Sequence, residues 1–318
     1  MSRSQSPSMD PVPQTPAADP QSVVLEALRL AYASTGAEQY REVYEQLRGR
    51  IEQRRTPDQL ASAGTPSAFA TTAPIPASAA ASPPGTARTA AATAIRVVCA
   101  TREDREGFFG STALGRSLTL HRPHAVEVRL FPRNAEGLSA VYNTAIAESV
   151  RAPAILLFVH DDIHLCDFHW TEALRSGLTR FDIVGLAGNR RRVPMQPAWA
   201  CVDEKFTRDK WFNLSGTVAH GKGFPAEAVD VFGPSSQRVA LLDGLFLAAR
   251  SETLCAKSLR FDERFGFHFY DLDFCRQAQQ AGLTLGTWPI SVIHESAGGY
   301  ASEGWRRGYE TYLEKWGE

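Results

Sequence analysis

The chain is short of the features that would commit it to several large classes. It has no long hydrophobic run. The longest clearly apolar stretch is about eight residues, against the roughly 20 needed to span a bilayer. The polar, Pro-rich start, Met1 to Pro20, lacks the apolar core of a secretory signal. The five cysteines, Cys99, Cys166, Cys201, Cys255 and Cys275, are scattered, odd in number and without C-x-x-C spacing. That excludes a cysteine zinc site and reads as reduced thiols in a cytoplasmic protein. Neither sign of charge dominates. The formal net charge of -1 argues against broad attraction to nucleic acid or anionic membrane. The basic run Arg190-Arg191-Arg192 reads as a solvated loop.

What is present falls into four zones. Residues 1–20 read as disordered. Residues 21–60 carry helical periodicity, with Tyr40, Val43, Tyr44, Leu47 and Ile51 on one face, Val24, Leu25, Leu28 and Tyr32 in an earlier helix, and Ser34-Thr35-Gly36 as the break. Two short helices bury little surface alone. The expected hairpin therefore either docks on its own chain or mediates oligomerisation or partner binding. Apart from Phe69 and Ile75, residues 61–94 are Ala, Ser, Thr, Pro and Gly with Arg88 the only charge, the composition of a flexible linker. The main domain then runs over 95–318.

That domain alternates strand and helix. Strands are predicted at Ile95–Ala100, Val126–Leu130, Ile155–Val159 and Asp182–Leu186, with helices between Asn134 and Ser149 and near Phe168–Leu178. Alternation of this kind predicts an α/β sandwich with a largely parallel sheet. After about residue 187 the pattern is irregular and rich in Gly and aromatics, either a substrate-binding half or surface loops.

Four segments carry candidate chemistry. His160-Asp161-Asp162 follows the apolar run Ala154–Val159, at a strand's carboxyl end, where open α/β sheets bind ligands. Adjacent acids disfavour each other's ionisation, which a divalent cation would relieve. The other reading is a turn in which Asp162 caps a following helix. Leu241–Ala248 is apolar but broken by Asp243-Gly244, either a bulge or a close approach to a ligand. Tyr270-Asp271-Leu272-Asp273 leads into a helix expected over Asp273 to Ala281, with Asp273 as cap and Asp271 just outside it. A carboxylate so placed stays ionised near neutral pH and can accept a proton from a substrate hydroxyl, unless both acids only cap and turn. Finally, Ile290–Ile293 ends in His294, an ordinary core or surface histidine, or the residue completing a metal site.

The order of these segments over residues 95–318 resembles a GT-A-fold glycosyltransferase, close to the family-2-like bacterial enzymes. Cys99–Glu103 resembles the loop after the first strand. Asn134–Ser139 with Tyr142-Asn143 resembles the helix facing the nucleotide. Phe158–Asp162 stands at the Asp-x-Asp metal motif, and Leu242-Asp243-Gly244 at the strand flanking the acceptor. Tyr270–Cys275 stands at the Glu-Asp-x-Asp segment whose second acid is the base, and His294 matches a late metal ligand. The family pattern departs at His160, in place of the first acid, and at Tyr270, in place of the Glu.

The resemblance implies a Rossmann-like α/β/α sandwich and hexosyltransferase-like transfer from a nucleotide-sugar donor, inverting at the anomeric centre. It implies Asp271 as base, with Mn²⁺ or Mg²⁺ held by Asp162 and His294. It places Ala100, Thr101, Arg102, Glu103, Asn134, Leu138, Asn143 and Asp161 around the nucleotide, and Asp243, Gly244 and Tyr270 on the acceptor side. The acceptor itself, whether saccharide, lipid-linked or protein, is not readable. Three rivals stand beside it. A nucleotidyltransferase would carry a basic Gly-rich phosphate loop, whereas Thr101–Gly107 is acidic. A metal hydrolase would need more clustered His and Asp. A degenerate, non-catalytic sugar-nucleotide-binding module would explain His160 and Tyr270 as decay.

Overall fold

A computed structural model of the chain describes residues 93–121, 126–296 and 302–317, and five earlier helical positions, Arg41, Tyr44, Glu45, Arg48 and Gly49. The chain divides into two units, Met1–Ala87 and Arg88–Glu318, and every element with defined bounds lies in the second. The disordered start expected over 1–20, and nearly all of the hairpin and linker, fall outside the described residues.

The first strand, β1 (Ile95–Ala100), runs into two short helices, α1 (Arg105–Ser111) and α2 (Ala113–Leu120). Asp104 caps the first by accepting from the Gly107 amide at 2.9 Å, and Thr112 caps the second by accepting from Gly115 at 3.0 Å. Neither helix stands out in the sequence, because each is about two turns or fewer, too short for a clear period. Then come β2 (Val126–Phe131), α3 (Leu138–Glu148), β3 (Ile155–Val159), β4 (Ile163–Leu165) and α4 (Trp170–Gly177). The next stretch is all strand: β5 (Ile183–Gly185), β6 (Ala187–Asn189), β7 (Leu214–His220), β8 (Ala228–Gly233), β9 (Arg238–Val239), β10 (Leu241–Leu242) and β11 (Phe246–Arg250). The chain closes with α5 (Ser251–Ala256), α6 (Tyr270–Gln280), β12 (Leu285–Thr287), β13 (Val292–His294) and α7 (Glu303–Trp316).

The main sheet has the order β2-β1-β3-β11-β5-β12-β9. It corrects the expectation of a mostly parallel sheet. β1 pairs in parallel with β2 and β3, and β5 with β12. However, β11 lies antiparallel between β3 and β5, and β9 is antiparallel to β12. The fold is therefore mixed α/β. A strand buried on both faces is a plain apolar run whichever way it points, so composition does not reveal the direction of Phe246–Arg250; residues 241–249 run antiparallel to 183–189 on both sides of Asp243-Gly244, which bulges out of the pairing. The irregular stretch after residue 187 also holds a second sheet, β10-β6-β7-β13-β4 with β8 on β7.

The two sheets bring the ends of β3, β10 and β13 together. Every residue of β3 is buried, and β11 runs beside it from Phe246↔Val159 to Arg250↔Ile155. The two aromatic rings of Phe261 and Phe274 stack at 4.0 Å, with Tyr142 and Phe158 packed on Phe261. This cluster sets the start of α6 against the end of β3. From the other side α7 holds α6 in place: the fully buried Asp273 accepts from Trp316 Nε1 at 3.0 Å and from Gln277 at 2.7 Å, and pairs with Lys315 at 2.6 Å.

Candidate functional site

The end of β3 turns at Asp161 and Asp162 directly into a strand, β4. Asp162 is therefore no helix cap, which removes the simpler reading of the acid pair. Asp161 Oδ2 accepts from the Thr101 hydroxyl at 2.6 Å. Both residues line a cleft of about 380 Å³ with Ala100, Arg102, Asn134 and Leu138, closed on the far side by Gly266 and Phe267. The cleft keeps its shape through backbone contacts. The Asn134 amide donates to the Thr101 carbonyl at 2.8 Å, and the Leu138 amide to Gly266 at 2.6 Å. A side chain on Gly137 would meet Gly266 Cα at 2.8 Å, so the start of α3 abuts this wall directly.

Two residues expected at the nucleotide do not line this cleft. Glu103 is exposed, and its carbonyl accepts from Arg133 at 2.8 Å. The Asn143 amide group bonds Phe261 and Glu263, donating at 2.9 and 3.0 Å and accepting from the Phe261 amide at 2.9 Å. It fastens α3 to the segment before α6.

Asp162 faces β13. Its Oδ2 lies 3.3 Å from His294 Nε2, and the Glu295 amide donates to its carbonyl at 3.0 Å. Burial alone would raise the Asp162 carboxyl, but the imidazoles of His294 and His160 hold it down at about 2. His294 loses some basicity to burial, yet the Asp162 carboxylate raises it on balance. Asp162 Oδ1 is buried with no hydrogen-bond partner. His160, Asp162 and His294 each offer one donor atom, all within 4.8 Å of one another. An ionised carboxylate with an unpaired buried oxygen, flanked by two imidazoles, fits a divalent cation.

On the other side of His160 lies a pocket of about 110 Å³ lined by Trp199, Asp243, Gly244, Phe267, Tyr270 and Asp271 among others. The helix α6 starts at Tyr270, a turn earlier than expected, because Phe269 takes a left-handed conformation (φ 65°) and leads straight into it. This corrects two expectations. Asp273 is not the cap, and Asp271 lies within the first turn instead of outside it. Asp271 Oδ2 accepts from the Gly244 amide at 3.0 Å. Its enclosure, with the Asp243 carboxylate next in weight, pushes its carboxyl up to about 7, despite backbone hydrogen bonds that pull the other way. The expectation of a fully ionised carboxylate is thus replaced by one poised at neutrality. Asp243 accepts from the Trp199 indole at 2.8 Å and from the Leu245 amide at 3.1 Å.

The two departures from the family pattern meet here. Tyr270 donates its hydroxyl proton to the Gly244 carbonyl at 2.9 Å, and His160 Nε2 lies 2.7 Å from the same hydroxyl. Burial keeps His160 uncharged against the pull of Asp162 and Asp243. Gly244 must be glycine, since a Cβ there would run into the Tyr270 ring.

Phe267 has no counterpart among the sequence expectations. It is 58% exposed, stacks on the His160 ring at 6.0 Å and 23°, and lines both the cleft and the pocket. One more aromatic in a run of Gly, Phe, His and Phe gives no signal of its own. Of the aromatics considered for an acceptor, Trp199 lies in the pocket, while Trp211, Phe212 and Phe224 are exposed and line neither cavity.

Comparison with known proteins adds to this geometry. The profile described as "Glycosyltransferase like family" matches residues 100–305. No curated protein sequence matches the chain. Among solved structures, the catalytic domain of Drosophila beta1,4-galactosyltransferase 7, in complex with xylobiose, aligns at 11% identity over 62% of this chain, with a TM-score of 0.37. The chain spans 65% of that domain's length. S. aureus TarS aligns at 11% identity over 64% of this chain and 37% of its own, with a TM-score of 0.36. A197 from STIV aligns at 10% identity over 64% of this chain and 82% of its own, with a TM-score of 0.35.

Proposed function

The chain belongs to a glycosyltransferase-like family, and from that premise we propose that it is a GT-A-type enzyme transferring a hexose from a nucleotide-sugar donor to an acceptor hydroxyl, with inversion. One observation carries the reading: Phe267 is a wall common to the cleft at Asp161 and the pocket at Asp271, and His160 lines the pocket beside it. A donor lying in the cleft and an acceptor lying in the pocket would meet across that wall.

Thr101, Arg102, Asn134, Leu138 and Asp161 bind the nucleotide, and Asp162 and His294 hold Mn²⁺ or Mg²⁺. When bound, the cation offsets the charge that builds on the departing diphosphate. Asp271, hydrogen-bonded to Gly244, takes the proton from the acceptor hydroxyl. The acceptor oxygen then forms its bond to the anomeric carbon as the bond to phosphate oxygen breaks, and that electron pair leaves with the nucleoside diphosphate. A base poised near 7 suits this step, since it is both ionised and basic enough at neutral pH. Asp243 orients Trp199, which lines the acceptor side, and its charge keeps Asp271 basic.

The test is a screen of nucleoside diphosphates with and without Mn²⁺ by thermal shift, followed by turnover of the matching nucleotide sugar. One diphosphate should stabilise the fold in a Mn²⁺-dependent way, and its sugar should be transferred or hydrolysed. Stabilisation by none of them would overturn the reading.

A further inference from the structure

The replacement of an acid by His160 at the end of β3 reads from sequence as a loss of metal-binding capacity. The geometry reverses that. Building on the transferase reading, we propose that His160 is itself a metal ligand through Nδ1, held in register by Tyr270, so that a two-histidine, one-carboxylate set with His294 and Asp162 selects first-row transition ions over Mg²⁺.

The tautomer follows from proton counting. A tyrosine hydroxyl has one proton, and that of Tyr270 goes to the Gly244 carbonyl. At 2.7 Å, His160 Nε2 must then be the donor to Tyr270. An uncharged imidazole with its proton on Nε2 presents a lone pair on Nδ1. A ligating histidine almost always donates its other nitrogen in this way, which fixes ring orientation and raises ligand basicity. Phe267 stacks on the ring face, and the ring lines a cavity together with Asp161 and Asp162. The three donor groups lie within 4.8 Å of one another, near the roughly 4.2 Å that two metal–ligand bonds of about 2.1 Å can span. The unpartnered Asp162 Oδ1 is the remaining donor in want of a partner.

The chemistry of the set decides the ion. Mg²⁺ prefers oxygen ligands in a strict octahedron and dehydrates reluctantly. Imidazole suits transition ions, whose affinity for a given site rises from Mn²⁺ to Co²⁺. Two nitrogens and one carboxylate therefore place the order of affinity as Mg²⁺, then Mn²⁺, then Co²⁺. In an all-carboxylate site the advantage over Mg²⁺ would be much smaller.

The experiment uses the full chain without nucleotide. Calorimetric titration with the three chloride salts should give affinities in that order, with Mn²⁺ at least about tenfold above Mg²⁺. Pulsed EPR of the Mn²⁺ form should show nitrogen couplings from two imidazoles. His160→Gln should remove one of them and bring Mn²⁺ and Mg²⁺ closer together. Tyr270→Phe, which keeps the packing, should retain both couplings, shift one, and lower Mn²⁺ affinity about 10–100-fold. One imidazole in the wild-type spectrum overturns the proposal, as does equal affinity for Mg²⁺ and Mn²⁺; neither depends on a variant that folds. Two couplings without turnover of any nucleotide sugar would uphold the ligand set and remove the transferase reading. Turnover with a single coupling would do the reverse.

Discussion

Asp271 is held in an environment that opposes its own charge, and that has two separable consequences. Its folded pKa of about 7 lies above the ordinary value near 3.9. Between those values the native state keeps a proton that the unfolded chain has lost, so the group's contribution to stability falls as pH rises through that window. The rate runs the other way, since a general base must be ionised. kcat/KM is expected to climb to a plateau above about pH 7. Asp271→Asn is expected to lose about 10²–10⁴ in rate and to raise Tm at pH 8 by a few degrees, with a smaller gain at pH 5. Melting curves at the two pH values check this; a variant less stable than wild type at pH 8 would show that burial is not the cause of the shift. Gly244→Ala is a sharper probe of the same wall. Its Cβ would lie 2.6 Å from Tyr270 Cζ, and overpacking of that kind costs about 1–3 kcal/mol. Its expected signature is a lower Tm together with weakened Mn²⁺ binding, read by calorimetry. At this scale Asp162, Asp243 and His294 stood out as candidates because each follows a recognisable apolar run, and Asp271 because it precedes a helix. Phe267 was not, because its value lies in which two cavities it separates. Asn143, placed at the nucleotide by resemblance, bonds Phe261 and Glu263, partners far along the chain that its neighbours in sequence do not announce.

At the scale of elements, the start of α6 is the point that matters, because it aims Asp271 and Tyr270. The link from Asp273 to Trp316 and Lys315 on α7 fixes it from behind. Removing one partner of a buried ion pair typically costs about 3–5 kcal/mol. Asp273→Ala should fall toward the low end, since Lys315 retains Asp262 at 2.8 Å. Trp316→Phe, which deletes one neutral donor to a carboxylate, should cost about 1.5–3 kcal/mol. Denaturant titration of both variants checks the ranking, and a Trp316→Phe more damaging than Asp273→Ala would place the clamp elsewhere. An acid in the first turn and an acid at the cap give the same sequence cue, which is why the helix was expected to begin at Asp273. The left-handed Phe269 that starts it earlier leaves no mark in composition. The direction of β11 was equally invisible.

For the whole molecule, the site-bearing elements all lie within the unit Arg88–Glu318. A chain begun at Arg88 is expected to fold and to give the same nucleoside-diphosphate thermal shift as the full chain, within about a degree on a scale where 1 kcal/mol moves Tm by roughly 2–4 °C. Loss of that shift would mean that residues 1–87 contribute to the site. Light scattering of the two chains side by side would show whether the helical periodicity of residues 21–60 serves self-association; an identical oligomeric state would remove that role. The alternation of strand and helix announced an α/β class at this scale. The second sheet stayed hidden because four of its strands have only two or three residues and the longer β7 carries Gly, Ser and Thr in place of an apolar run, which is also how loops look.

The bond between His160 and Tyr270 also limits how such a site can diverge. Two residues joined through a shared proton are one heritable unit. Changing His160 to an acid sets a carboxylate against a phenol whose proton is already given away, and changing Tyr270 to an acid sets a buried negative charge beside a neutral imidazole. Each single step passes through a less fit intermediate, and only the pair together restores a satisfied site. A double-mutant cycle on His160→Asp and Tyr270→Glu should therefore show strong positive epistasis in metal affinity, so that the two-imidazole and the one-imidazole versions of this centre stand as two separate peaks with a valley between them.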